Sequence, residues 1–256
     1  AGIRDDFVYL LLQKGEQQTD DESNPYGFKP KQEHMACFHA KAAKILDKAP
    51  SRFYQHALDY FSGKPGFDQW AFVGLQGIAD VASRIDDSDH ARLLADAFPQ
   101  LPLQPLDALC QCLEHEPVPE VLANAIGQRL QQELDSPHPE PNVISWCLRA
   151  VSGCENPGLT EHWVLTTLNH DSGQDAEVLA SISGRCWETL KQPNIIQAFL
   201  ENLARSKEGQ EFFNLVIVDL INIPGMQDSI HQAIRQTDRS PQLSRAIGEM
   251  FKQFTQ

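Results

Sequence analysis

Cysteine and histidine lie close together in the segment LCQCLEHEP, residues 109–117. Cys110, Cys112 and His115 are residue types that bind Zn²⁺. On an α-helix, which turns by about 100° per residue, the two thiols point roughly 160° apart and cannot both coordinate one tetrahedral ion. Cys112 and His115 could still share an ion with ligands from elsewhere in the chain. We predict instead a buried Cys110, a solvent-facing His115 and no metal site.

The spacing of the other cysteines gives no stronger indication of a metal or catalytic site. Cys37 lies near His34 and His39, for which we predict packing or surface roles, whereas Cys147 and Cys186 fall on apolar helical stripes and are predicted core residues. A catalytic Cys–His pair remains open, because its partners need only be close in space. Six cysteines spread along a chain without a recognisable signal peptide favour free thiols in a reducing, cytoplasmic setting.

Signatures of common enzyme classes are missing from the sequence. There is no G-x-x-x-x-G-K-[ST] phosphate loop, no H-E-x-x-H zinc motif and no G-x-S-x-G nucleophile motif. Gly74 and Gly77 in GLQGIAD resemble a phosphate loop, but they lack a preceding strand and better suit close helix packing. The sequence therefore assigns no catalytic, cofactor-binding or metal-binding residue and predicts no cofactor.

The net charge of the chain favours some classes of binding partner and argues against others. The chain has 21 Lys and Arg against 35 Asp and Glu, a net charge of −14 with neutral His. Such a field repels phosphate backbones and anionic lipid surfaces, which argues against nucleic acid. No apolar run approaches the roughly 18 residues that a membrane span needs. These features predict a soluble protein with basic or neutral protein partners.

Apolar periodicity near 3.6 residues recurs from Lys31 onward and predicts an all-α fold. We predict 12 to 13 helices, with the first members of successive helix pairs beginning near residues 68, 106, 142, 175, 209 and 241. This recurring spacing, about 32 to 38 residues, predicts an α-solenoid or α-α superhelix, although it fits HEAT-like repeats only loosely. A compact helical bundle is the alternative.

The predicted domains follow from where the periodicity begins. Residues 1–15 contain the apolar stretch DFVYLLLQ and are interpreted as a remnant helix of a missing N-terminal domain. Residues 16–30 are rich in turn formers and are predicted to be a linker. Residues 31–256 form the predicted helical-repeat domain.

Two stretches resemble a known family: NPYGFKPKQEHMACFHAKA at residues 24–42 and GFDQWAFVGLQGIADVASRI at residues 66–85. They are similar to a bacterial family catalogued as a domain of unknown function. The resemblance implies that the chain is the helical C-terminal region of a longer protein whose N-terminal part contains β-strands. It implies no activity, substrate or site residue.

Aromatic residues supply the candidate binding site. We predict that Trp146 is a partly exposed anchor for a partner, because aromatic anchors carry much of the energy of interfaces. Tyr26 and Phe28, in NPYGFKP, could dock on the first helices or on a partner. The sequence thus predicts a non-enzymatic helical-repeat module that binds another protein or its own N-terminal domain, with the oligomeric state open. The alternative is an enzyme on helical repeats, of the nucleic-acid repair type.

Overall fold

The computed structural model describes residues 31–86 and 88–254, and those residues contain helices without a β-strand. Thirteen α-helices are found there. They are α1 Gln32–Ile45, α2 Tyr54–Phe61, α3 Leu75–Ala82, α4 Ser88–Ala97, α5 Leu103–Leu113, α6 Glu120–Leu134, α7 Pro141–Val151, α8 Pro157–Leu168, α9 Ala176–Arg185, α10 Pro193–Arg205, α11 Gly209–Ile221, α12 Gln227–Arg235 and α13 Pro241–Phe254. Short 3₁₀ helices lie at Phe67–Phe72, Phe98–Gln100, Asp171–Gln174 and Trp187–Lys191.

The starts of the helices follow from local sequence. Proline opens α7, α8, α10 and α13, where its missing N–H removes no intrahelical hydrogen bond. The side chains of Asn156 and Asp175 cap α8 and α9 by accepting hydrogen bonds from the backbone N–H groups of Gly158 and Glu177. The prediction of an all-α fold is therefore confirmed for the described residues.

Two of the helices predicted from the periodicity are interrupted. The helix predicted to begin near residue 68 starts as a 3₁₀ helix, Phe67–Phe72, which the extended Gly74 separates from α3. The helix predicted to begin near residue 175 ends at Arg185, since Cys186 leaves helical geometry before the 3₁₀ helix Trp187–Lys191. Apolar periodicity continues across both interruptions and therefore could not reveal them.

The helices pack in two rows. In the odd-numbered row, α1 contacts α3, α3 contacts α5, and the same step of two continues through α7, α9, α11 and α13. In the even-numbered row, α2, α4, α6, α8, α10 and α12 contact one another in the same order. Each helix thus covers the apolar side of the helix two places earlier, and one buried core runs between the rows.

Glycine allows two of the closest helix contacts. A Cβ on Gly127 of α6 would lie 2.1 Å from the indole of Trp163 on α8. A Cβ on Gly77 of α3 would lie 2.6 Å from the backbone oxygen of Phe53, which confirms the packing role predicted for this glycine. Both positions let neighbouring helices approach more closely than any larger residue would permit.

Candidate functional site

Helix α1 buries its small side chains and exposes its large apolar ones. Ala36 and Ala40 are its two buried residues. Phe38 is 66% exposed, and Ile45, two turns later, is 75% exposed. Met35 also lies exposed on this helix. A surface helix of a folded domain normally shows the opposite arrangement, so the outer side of α1 is an apolar patch of the kind that marks an interaction site.

The exposed side of α1 forms one wall of a groove. The groove encloses about 480 Å³ between α1 and the turn that follows α5. We call it the α1 groove, and its lining residues are His34, Cys37, Phe38, Lys41, Ala42, Ile45, His115 and Glu116. Its volume is within the range of small-ligand sites, and its wall of apolar side chains with a few polar groups is typical of binding sites.

Polar contacts fix α1 beside its neighbours. The side-chain amide of Gln76 on α3 donates to the backbone oxygen of Ala36 at 3.3 Å. Lys44 Nζ lies 2.7 Å from Asp86 Oδ1. Lys41 Nζ lies 3.2 Å from Glu116 Oε1 and also donates to the backbone oxygen of His115. Burial raises the pKa of Glu116 above its usual range, even though Lys41 favours the ionised form.

A disulfide joins α1 to α5 at this groove. Cys37 and Cys112 are bonded, with 5.5 Å between their Cα atoms. The prediction of free thiols is wrong for this pair, because it depended on composition, whereas bonding depends on how helices 75 residues apart in sequence pack together. Cys37 packs against the core, as predicted, but its sulfur is bonded to Cys112. Cys110, Cys147, Cys154 and Cys186 are free thiols.

A buried carboxylate lies just behind the groove. The side chain of Glu114, at the end of α5, has no exposed surface. Its carboxylate accepts from Arg149 Nε at 2.6 Å and from Arg185 Nη2 at 2.8 Å. His115 Nε2 lies 3.2 Å from the same group. Burial alone would raise the pKa of Glu114, but these hydrogen bonds and the arginine charges outweigh burial and lower it to about 2.

These charges connect three helices of the odd-numbered row. Glu114 follows α5, Arg149 lies on α7 and Arg185 ends α9, so each group comes from the C-terminal end of its helix. The turns after α5 and α7 are also linked, since Val118 N donates to Gly153 O and Glu155 N donates to Val118 O, both at 3.0 Å. The end of α5 is therefore held firmly beside the groove.

The candidate residues from the sequence differ in how far the structure buries them, and some of them lie outside the described residues. Cys110 is buried, as predicted, and the side chain of His115 is 40% exposed, as predicted. Trp146 is partly buried on α7 and packs against the core, so its role as an anchor stays a prediction. Tyr26 and Phe28 lie outside the described residues, as do the predicted remnant helix 1–15 and linker 16–30.

Metal and membrane sites can be assessed over residues 31–86 and 88–254. Within these ranges, no group of three or more His, Cys, Asp or Glu side chains is arranged to hold a metal ion. Across the same part of the chain, none of the helices has the length and apolar character needed to cross a bilayer.

Sequence reasoning missed the apolar side of α1, although a signal was present. Phe38, Ala42 and Ile45 recur at helical spacing, and Ala36 and Ala40 form a second stripe of small residues. Two apolar stripes on one helix indicate two packing surfaces, of which one meets the core. The participation of Glu116 and His115 could not be foreseen, since it depends on the contact of α1 with the end of α5.

The described residues define a class of protein: an all-helical protein with two rows of helices and an apolar groove that contains a disulfide. The family described as "Protein of unknown function (DUF3549)" matches residues 10–251, and the chain belongs to this family. The resemblance to an uncharacterised family is thereby confirmed. Comparison with curated proteins and with solved structures gave no match.

Proposed function

We propose that this chain is a non-enzymatic, HEAT-like helical-repeat module that binds another protein through the α1 groove. The step of two in the packing of both rows supports a repeat architecture, because each helix pair then contacts the pairs before and after it. The observation that carries the function is the reversed burial of α1, which exposes Phe38 and Ile45 while its alanines face the core.

The occupant that best fits the groove is an amphipathic helix of a partner protein. Exposed apolar side chains one and two turns apart on α1 can meet a matching apolar stripe. The segment 31–48 has four lysines and two acidic residues, but Lys41 lies 3.2 Å from Glu116 and Lys44 lies 2.7 Å from Asp86, so two of the lysines are already paired. We therefore propose that the partner's apolar stripe makes the main contact and that the side chains beside it are basic or neutral, as the net charge of −14 favours, in an association that weakens with salt.

The local charge leaves the expectation from the sequence in place. The net charge favours basic or neutral partners, and near the groove Lys41 and Lys44 are paired with Glu116 and Asp86. The alternative of a nucleic-acid repair enzyme needs Lys and Arg that are available to phosphates. Arg149 and Arg185, at the ends of α7 and α9, bind Glu114 instead.

The test is affinity capture from the protein's own cells with matched variants of the full chain. Phe38→Glu and Ile45→Glu place charge in the proposed interface, and Leu215→Glu places the same charge on α11 at a side chain that is 59% exposed. We expect a partner that wild type and Leu215→Glu retain and that both α1 variants lose. Equal retention by all four proteins, or no retained partner, would overturn the proposal.

A further inference from the structure

The disulfide lies where the α1 groove gives access to one of its two sulfurs. Cys37 lines the groove and is partly exposed, whereas Cys112 is only 6% exposed and is not among the lining residues. His34 precedes Cys37 by one helical turn, and Lys41 follows it by one turn, on the same groove. An incoming thiolate can therefore reach Cys37 from solvent, where the side chains of His34 and Lys41 lie along the same groove.

The remaining described cysteines are free thiols and form no disulfide. Cys110, Cys147 and Cys186 are fully buried, and burial raises the pKa of each thiol, to about 12 for Cys147 and Cys186. Burial also raises the pKa of Cys154, which is partly exposed. Thiolates are the reactive form of cysteine, so thiol chemistry in the described residues concentrates at the Cys37–Cys112 pair.

We propose that Cys37–Cys112 is a thiol–disulfide exchange site that accepts an external thiol through the α1 groove. The incoming thiolate attacks Cys37 Sγ, a new sulfur–sulfur bond forms there, and the Cys37–Cys112 bond breaks with Cys112 leaving as a thiolate that takes a proton. A second external thiolate then attacks the mixed disulfide and releases Cys37. Two external thiols are oxidised to one disulfide, and the protein disulfide gains two electrons and two protons.

The external thiol can come from a small molecule of the glutathione type or from a cysteine in a peptide. The apolar side chains of Phe38 and Ile45 line the same groove as Cys37, so a cysteine flanked by apolar residues gains contacts that glutathione does not make. Reduction also removes the covalent link between α1 and α5. This inference goes beyond partner binding, because it concerns a reaction of the isolated full chain.

The first test measures which of the six cysteines are free thiols and which are bonded in a disulfide. Full-length protein is purified without reductant, its free thiols are alkylated, and the remaining cysteines are labelled after reduction and located by mass spectrometry. We expect Cys37 and Cys112 in the second group, and their transfer to the first group after dithiothreitol treatment that leaves the circular dichroism of the helices unchanged. A pair that remains as two thiols in oxidised glutathione, or that opens only when the protein unfolds, would overturn the proposal.

The second test separates the two sulfurs. In Cys112→Ser, Cys37 is expected to form a mixed disulfide with oxidised glutathione at least about tenfold faster than Cys112 does in Cys37→Ser, because reactivity follows access and thiolate character.

Wild-type protein is also treated with glutathione or with an apolar cysteine peptide, and faster reduction by the peptide identifies it as the preferred source. Faster reaction at Cys112, no reaction with either thiol, or zinc bound by the purified reduced pair would contradict the exchange site. Capture of a partner by the α1 groove is scored separately, so the two proposals can fail independently.

Discussion

Glu114 shows how a single residue links the site to the odd-numbered row of helices. Its carboxylate is fully enclosed, yet the low pKa means that it stays ionised at neutral pH between two arginines. The arginine side chains are 29% and 39% exposed, so the ion pairs lie at the edge of the core rather than deep inside it. Removal of the carboxylate leaves two positive charges together without their shared partner.

The substitution Glu114→Gln is therefore expected to destabilise the protein by about 2 to 3 kcal/mol, below the usual cost for fully buried pairs because the arginines retain contact with water. The free energy of unfolding in urea measures this change. Glu188→Gln is the matched control, since Glu188 lies 3.9 Å from Lys191 in an exposed pair. It should stay within about 0.5 kcal/mol of wild type. Equal losses in the two variants would contradict the role of Glu114.

The pH dependence follows from the same carboxylate. The pKa of Glu114 is lowered from 4.5 to about 2 on folding, so its stabilising contribution is complete above pH 4.5 and is lost as pH falls toward 2. Over that interval, the stability advantage of wild type over Glu114→Gln should shrink from about 2 to 3 kcal/mol to near zero. Urea unfolding of both proteins at pH 7, 4 and 2.5 tests this. A constant difference would show that the carboxylate is not held ionised.

Gly127 gives a second prediction at the scale of one residue. In Gly127→Ala the new methyl group meets the indole of Trp163, so α6 and α8 must separate or the ring must rotate. We expect a loss of about 1 to 3 kcal/mol in unfolding free energy and a shift in tryptophan fluorescence. Gly184→Ala, where no atom lies within 4 Å of the added Cβ, should be neutral or stabilising by up to about 1 kcal/mol. Equal effects of the two substitutions would refute the tight contact.

Residues whose setting depends on their own helix could be predicted from the sequence. Helix geometry placed Cys110 in the core and separated it from Cys112, and the structure confirms both. The bond from Cys112 to Cys37 and the three partners of Glu114 could not be predicted in this way. They depend on the register between helices, which a single sequence without an alignment does not specify.

At the scale of elements, capping and proline placement define most helix starts. Asp175 accepts a hydrogen bond from Glu177 N at 2.9 Å and begins α9, which carries Arg185 at its other end. These signals are local, so the helix starts predicted near residues 106, 142, 175, 209 and 241 lie within three residues of the observed starts. The two interruptions, at Gly74 and Cys186, were missed because apolar spacing resumes after each of them.

Asp175→Ala should cost about 1 kcal/mol of stability, since the first turn of α9 loses its side-chain cap. Thermal or urea unfolding measures the change. Asp219→Ala on α11 is the control, because Asp219 is exposed in the last turn of its helix and has no role as an N-cap. The control should remain within about 0.5 kcal/mol of wild type. A cost in the control equal to that of Asp175→Ala would argue against capping.

In the whole molecule, the arrangement of the two rows explains why one side of α1 is exposed. Each later helix of the odd-numbered row up to α11 has a neighbour on both sides in that row, whereas α1 has α3 after it and no earlier member among the described helices. Phe38 and Ile45 of α1 point away from its alanine face and line the groove. The proposed partner helix occupies this position and continues the row.

A partner bound in the α1 groove would shield α1 and the turn after α5 from solvent. Hydrogen exchange of the full chain, alone and with the partner retained in the capture experiment, measures this shielding. We expect slower exchange in residues 32–46 and in the turn at residues 114–117, with α11 and α12 unchanged. Protection confined to α11 and α12, with α1 exchanging as in the free protein, would contradict binding in the α1 groove.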